Sequence, residues 1–330
     1  FDYINFIKEF FKNSTRKIFL NIDLIGNLTR TGNWFFNRDQ DHGILHDIIG
    51  LNFDRLFSID LSLYQNAGAN MVQQLAYAMA HAHEYLNHFH ANEKSKGEFK
   101  KFTFKVSVGS NYFFEISKLK ALRMLWKTLA TEYGISADCH IIAIPSRRNK
   151  TLYEYNANMI RTSMECMAAV LGGADTIFNL SYDALYHKDN EFGNRIALNQ
   201  LLLLREESHF KEINNAADGA YYIENITFQL AEKALQLFKT IEKGGGFLHQ
   251  LKNHTIQNKI KESAKKEQNL FDHQKLILVG TNKFENRETR MKHDLELFPF
   301  VKTKIRKTLL EPIIEKRLAE VIEQQRLAEE

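Results

Sequence analysis

Residues Leu56–His88 read LFSIDLSLYQNAGANMVQQLAYAMAHAHEYLNH, a short β-rich run followed by a helical pattern. The run is Leu56–Leu63 (LFSIDLSL). From Asn70 to His88 the apolar positions Met71, Leu75, Ala78, Met79, Ala82 and Leu86 recur at helical spacing. The same kind of run begins at Lys17–Asp23 (KIFLNID), Thr103–Val108 (TFKVSV), Cys139–Ile144 (CHIIAI) and Asp175–Leu180 (DTIFNL), with starts 39, 47, 36 and 36 residues apart. Asn111–Tyr133 repeats the helical pattern through Phe113, Phe114, Ile116, Leu119, Leu122, Leu125, Trp126 and Leu129. Strand-then-helix units of this length predict parallel strands joined by crossover helices, an α/β fold. No strand is followed by G-x-G-x-x-G or G-x-x-x-x-G-K-[ST], which speaks against an open nucleotide-binding sheet. A (β/α)8 TIM-type barrel is the expectation, with about five of its eight units present.

Beyond Leu180 the strand signal fades. Phe192–Phe210, Ile226–Glu242 and Thr255–Phe271 read as amphipathic helices, with Gly244-Gly245-Gly246 as a helix end and turn. Lys275–Gly280 (KLILVG) is read as one more strand. Glu311–Glu330 alternates Glu with Lys/Arg and is read as a charged, solvated or partner-facing helix. The expected organisation is a partial barrel over 1–185, helical segments packing on it over 186–300, and a charged arm over 301–330. Loops fall at Ala91–Lys101 and Lys211–Ala220. Three prolines exclude a Pro-rich linker.

The 330 residues carry 44 Lys+Arg against 40 Asp+Glu, a formal charge of +4. That excess is small and has no basic block behind it, so nucleic acid is not an expected partner. No apolar run approaches a membrane span, and no signal peptide is visible. Two cysteines, Cys139 and Cys166, build no disulfide framework and fit a reducing, cytoplasmic setting as inert core thiols.

Thirteen histidines raise the question of a metal. His81, Glu84 and His88 share a helix face, close to His83 and His90. They also close a helix whose cationic last turn is favourable in itself, and no His-Glu-x-x-His is present, so no metal is expected. His42, His46 and Asp47, near Asp39 and Asp41, read as a polar loop that enters a helix rather than as acid–base machinery. Arg147 and Arg148 follow the Cys139–Ile144 strand, at the end where barrels build their sites. They suit either an anion clamp or a surface pair. These residues alone define a helix-rich α/β protein without a complete catalytic constellation.

Four stretches resemble the methylmalonyl-CoA mutase family: Leu61–Leu86, Gly109–Trp126 (GSNYFFEISKLKALRMLW), Arg161–Gly173 (RTSMECMAAVLGG) and Asp218–Ala231 (DGAYYIENITFQLA). Residues 279–284 (VGTNKF) resemble the family's segment after the barrel. The resemblance implies a substrate-side (β/α)8 barrel through which an acyl-CoA threads, capped by adenosylcobalamin on a separate domain. The cofactor supplies the radical that converts methylmalonyl-CoA to succinyl-CoA.

Residue by residue, the resemblance implies a chain without that chemistry. Leu63 stands where catalytic members carry a His, and leucine makes no hydrogen bond to a substrate carbonyl. Asn66 replaces a cofactor-side Glu. Ile-Pro-Ser-Arg-Arg at Ile144–Arg148 replaces Gln-Thr-Ser-Gly-Trp, and Ile142 replaces a further His. Lys101-Phe102-Thr103 replaces an Arg-x-Ser pair, which weakens bidentate recognition. Glu165 is a retained cofactor-side position. The nearest match to the cobalamin signature Asp-x-His-x-x-Gly is Asp138-Cys139-His140-Ile141-Ile142-Ala143, which lacks the Gly and enters a strand. The implied protein is a small, non-catalytic subunit that binds no cofactor itself. Its expected partner is a large, catalytic subunit carrying adenosylcobalamin. The alternative is a barrel with its own anion or acyl-CoA site at Arg147, Arg148 and Lys101. Five units against eight also suggest that three lie upstream of Phe1, with an open sheet edge near Lys17–Asp23.

Overall fold

The computed structural model describes residues 6–7, 9–10, 18–49, 55–90, 101–302 and 306–330. Five parallel strands lie side by side in sequence order: β1 (Phe19–Ile22), β2 (Arg55–Asp60), β3 (Phe102–Val108), β4 (Cys139–Pro145) and β5 (Thr176–Ile177). Helices α1 (Leu24–Thr31) and α2 (Arg38–Ile49) follow β1. The short α3 (Ser62–Asn66) and the long α4 (Met71–His90) follow β2. Next come α5 (Tyr112–Glu132) after β3 and α6 (Ala157–Leu171) after β4. Beyond β5 stand α7 (Glu191–Leu202), α8 (Tyr221–Lys243), α9 (Phe247–Lys252), α10 (Thr255–Asp272) and α11 (Glu320–Glu329). The sheet is a curled half-barrel of the (β/α)8 type followed by a helical C-terminal part, the fold class expected from the strand–helix repeat.

Alternation along the strands assigns the two faces. Phe57, Ile59, Phe102, Phe104, Ile141 and Ala143 are buried under the helices, where Trp126 packs on Phe102 and Phe104 at ring distances of 4.8 and 5.3 Å. The other face carries Ser58, Asp60, Thr103, Lys105, Ser107 and His140 in register across β2–β4. A buried relay ties β1 to α4. The Asp23 carboxylate accepts from Gly26 N–H (2.7 Å), Tyr85 Oη (3.0 Å) and Asp60 N–H (3.0 Å), and pairs with His81 Nε2 (2.9 Å). His81 Nδ1 meets Tyr64 Oη at 3.0 Å. Asp23 thus caps α1 and fixes the histidine, and its pKa lies below the usual carboxylate range because His81 and the N–H donors outweigh the burial that raises it.

Several expectations are corrected. Residues 275–280 form no strand: Lys275 and Leu276 N–H turn back to Leu270 O, and Leu278 N–H is satisfied by the Asn282 side chain instead of a ladder. Only an isolated bridge, Val279 with Lys283, occurs there. The strand expected over 175–180 is confined to Thr176–Ile177, because Asn179 turns its amide to Ala197 O and Gln200. The helix expected from Phe192 ends at Leu202 and runs on as a π-helical turn, Leu203–Glu207. His42, His46 and Asp47 lie inside α2, not in a loop, with buried Asp41 accepting from Phe35 and Phe36 N–H ahead of them. The final helix begins at Glu320 rather than Glu311. Residues 309–318 run as an extended strap, donating from Ile313 N–H to Thr29 O, Lys316 N–H to Asn66 O and Leu318 N–H to Arg148 O. Nor is the last helix solvated throughout, since Glu320 and Glu323 are buried and Glu323 pairs with Arg317 at 2.6 Å. The loop read at Ala91–Lys101 lies outside the described residues except for Lys101. Among the described residues no helix is long and apolar enough to cross a membrane.

Candidate functional site at the strand C-termini

Three connections converge beyond the C-terminal ends of β2, β3 and β4: α3, residues 109–111 and residues 146–149. They border a cavity of about 700 Å³ that α8, α10 and the strap close from outside. Gln65, Gln74, Glu115, Asn149 and Ser146 give it polar walls, while Leu230, Leu276 and Leu318 give apolar ones. Gly109 permits this convergence, because a Cβ there would stand 2.9 Å from Gln65 Nε2 and 3.1 Å from Glu115 Oε1.

Two fully buried ion pairs underlie the polar wall. Lys118 Nζ contacts Glu115 Oε2 (2.5 Å), Gln65 Oε1 (2.7 Å), Gln74 Oε1 (3.1 Å) and Ser107 O (2.7 Å). Burial pulls the Lys118 ammonium down, and Glu115 opposes that. Lys150 Nζ contacts Glu165 Oε2 at 2.7 Å, and Asn149 Nδ2 donates to Glu165 Oε1 at 2.7 Å. Burial pushes Glu165 up and Lys150 down, each held back by the other.

Of the residues singled out in the sequence, the structure brings Asn66, Arg147 and Arg148 together and sets Lys101 apart. Leu63 is fully buried in α3 within the main core, its backbone carbonyl accepting from Ala67 N–H. Asn66 is also buried. Its Oδ1 accepts from Ser146 Oγ (3.0 Å) and Arg147 N–H (3.1 Å), so it pins the loop after β4. Ile142 and Ile144 alternate onto the concave face. Arg148 is consumed structurally, pairing with Glu267 through Nε and donating from Nη1 to Lys316 O at 2.7 Å. Arg147 is exposed at the mouth. Lys101 precedes β3 and therefore sits at the opposite end of the sheet, about 20 Å along the strand direction from the arginines. The structure thus separates Lys101 from Arg147 and Arg148. Glu165 is sealed against Lys150 and Asn149.

The histidines disperse as well. His81 belongs to the Asp23 relay, Glu84 accepts from Leu248 N–H (3.0 Å), and His88 meets His42, their facing ring nitrogens 3.2 Å apart. No group of His, Cys, Asp or Glu able to hold a metal occurs among the described residues. Both cysteines are buried, and burial pushes their thiols up, to about 11 for Cys139 and about 12 for Cys166. The Glu115–Lys118 and Lys150–Glu165 pairs escaped the sequence reading. Only the first leaves a sequence signal, a charged pair at i, i+3 amid the apolar positions of α5, while Glu165 was named for its family position and not for its pairing with Lys150.

His140 is not placed to serve as an axial ligand to adenosylcobalamin at this cavity. His140, the nearest counterpart of an axial ligand, lies on β4, where its Nε2 bonds Thr176 Oγ1 at 2.9 Å and its ring packs 5.1 Å from Phe19. It stands in a strand near the N-terminal end of the sheet, away from the cavity.

A parallel strand–helix half-barrel with its cavity at the strand C-termini is a partial TIM-type (β/α)8 architecture. The family model for methylmalonyl-CoA mutase matches residues 19–325, and the chain belongs to that family. It is 35% identical over 238 residues to the methylmalonyl-CoA mutase small subunit of Porphyromonas gingivalis, covering 70% of this chain and 38% of that protein. The small subunit from Propionibacterium freudenreichii subsp. shermanii is 34% identical over 197 residues, covering 58% of this chain and 31% of its own length. The large subunit from the same organism is 29% identical over 250 residues, covering 74% and 34%. The chain spans between 31% and 38% of these relatives.

Proposed function

We propose that this chain acts as the small, non-catalytic subunit of a heterodimeric, adenosylcobalamin-dependent methylmalonyl-CoA mutase. The reaction of the assembly is the rearrangement of methylmalonyl-CoA to succinyl-CoA in propanoate metabolism, in the cytoplasm. The large subunit carries the cofactor and the reacting groups, and this chain stabilises it.

One observation carries the reading. Leu63, at the position of the family's substrate-facing His, is an apolar side chain with no exposed surface, packed in the main core. A residue so placed contributes packing energy and no proton or hydrogen bond. Asn66, in place of the acidic cofactor-side residue, spends its carboxamide oxygen on Ser146 and Arg147. Glu165 remains a candidate cofactor-side position only by its place in the motif, since its carboxylate is engaged by Lys150.

Co-expression with a cobalamin-bearing large subunit tests this. Mutase turnover is expected from the pair and from the large subunit's site, with none from this chain supplied with adenosylcobalamin. Turnover by the isolated chain, or failure to co-purify with any large subunit, sinks the reading.

A further inference from the structure

At the mouth of the half-barrel a second, smaller cavity of about 330 Å³ lies between the loop after β4, residues 297–302 and the strap. Its charges are unequally used. Arg148 is committed to Glu267 and Lys316 O, while Arg317 is committed to Glu323, Lys150 O and Pro299 O. Of the two carboxylates, Glu320 accepts from Arg317 and Val301 N–H, and Glu315 pairs with Arg30 at 3.4 Å. Arg147, Lys302 and Lys316 remain. All three are exposed and make no side-chain hydrogen bond or ion pair among the described residues, although the Glu315 carboxylate lies within electrostatic reach of Arg147.

Two of these cations share one buried support. Asn66 accepts Arg147 N–H on its side chain (3.1 Å) and Lys316 N–H on its backbone carbonyl (3.1 Å), so one buried neutral residue sets the spacing of two positive ones. The remaining wall is aromatic. Phe298 and Phe300 meet edge to face with centroids 5.5 Å apart, and Phe298 is 62% exposed. A guanidinium and two ammoniums around one pocket favour a compact dianion with several acceptor oxygens, and an exposed ring beside them favours a planar body. The cavity is within the size range of small-ligand sites.

We propose that this pocket binds a phosphate monoester carried on a small planar ring, with Arg147, Lys302 and Lys316 holding the phosphate and Phe298 stacking on the ring. The site is independent of mutase turnover, so the isolated chain suffices to test it.

Calorimetric titration of the chain with phenyl phosphate is expected to show saturable one-to-one binding, with weaker binding of inorganic phosphate. Arg147→Ala weakens both by about tenfold or more, because one charge-assisted contact is lost. Phe298→Ala weakens phenyl phosphate alone. Both side chains are exposed, and circular dichroism of each variant verifies its fold. Absence of saturation at several millimolar phenyl phosphate, or unchanged affinity in Arg147→Ala, overturns the site. Equal affinity for the two ligands overturns the role of the ring.

Discussion

Lys150 and Glu165 face each other at 2.7 Å, both beyond the reach of water, with Asn149 completing the carboxylate's hydrogen bonds. Such a pair adds little over apolar packing of the same volume, but losing one partner strands a charge in the interior. Lys150→Met is therefore expected to cost about 3–5 kcal/mol in urea unfolding, and Lys150→Met with Glu165→Leu to recover most of that loss. A single-variant cost below about 1 kcal/mol would mean that Glu165 takes up a proton cheaply and the pair is not ionic in the fold. The neighbouring Glu115–Lys118 pair shows why residue-scale reading of sequence stopped short. Within α5 these charges sit between Phe114, Ile116 and Leu119, and one helix's periodicity gives no partner for them. The partners arrive from elsewhere: Gln65 from α3, Gln74 from α4 and the Ser107 carbonyl from β3.

At the scale of elements, α2 rests on the end of α4 through imidazoles in tilted contact. His42 and His88 rings lie 4.4 Å apart, and His46 lies 5.4 Å from His88. Burial, with His42 and His46 as like-charged neighbours, pushes His88 down to about 4. His42 is also lowered by burial, His46 and Arg38, against the opposing pull of Asp41 and Asp39. A base whose folded pKa is depressed binds its proton later in the folded chain than in the unfolded one. Its neutral form therefore supports the fold fully above pH 6.5, and that support is lost as pH falls from 6.5 towards 4. At pH 5 the loss attributable to His88 is about 1 kcal/mol after allowance for solvent screening. Thermal melts at pH 7 and pH 5 should show a larger drop for the native chain than for His88→Gln. Equal drops would refute the assignment.

The same scale shows what was legible in the sequence. Strands β2–β4 and helices α4, α5, α8 and α10 were legible because each buries a face whose period is written in consecutive residues. The strap was not. Its Glu, Lys and Arg spacing suits a helix, but its N–H groups go to Thr29, Asn66 and Arg148, tertiary acceptors that no local pattern contains. The candidate residues divide along the same line, with Arg147 at the mouth, Lys101 at the far end of β3 and Arg148 paired with Glu267.

For the whole molecule, the consequence of five strands lies at the flanks of the sheet. Among the described residues β1 pairs only with β2 and β5 only with β4, and β5 contributes just two residues. Around β5 the surface is apolar as well. Phe178 directly after it is 64% exposed, Ile160 and Met164 on α6 are 66% and 48% exposed, and Leu198 on α7 is 57% exposed. An unpaired strand flank beside exposed apolar side chains is a combination that soluble proteins ordinarily cover or interrupt with charge. Here the nearby charges Arg123 and Asp175 neutralise each other at 2.8 Å and give no repulsion. The isolated chain is therefore expected to self-associate at concentrations of about ten micromolar and above. Static light scattering should record a mass that rises with concentration, and Phe178→Lys with Ile160→Lys should lower it while leaving the circular dichroism spectrum unchanged. A constant monomeric mass for the native chain, or no response to the paired lysines, would show that this face is not what drives association.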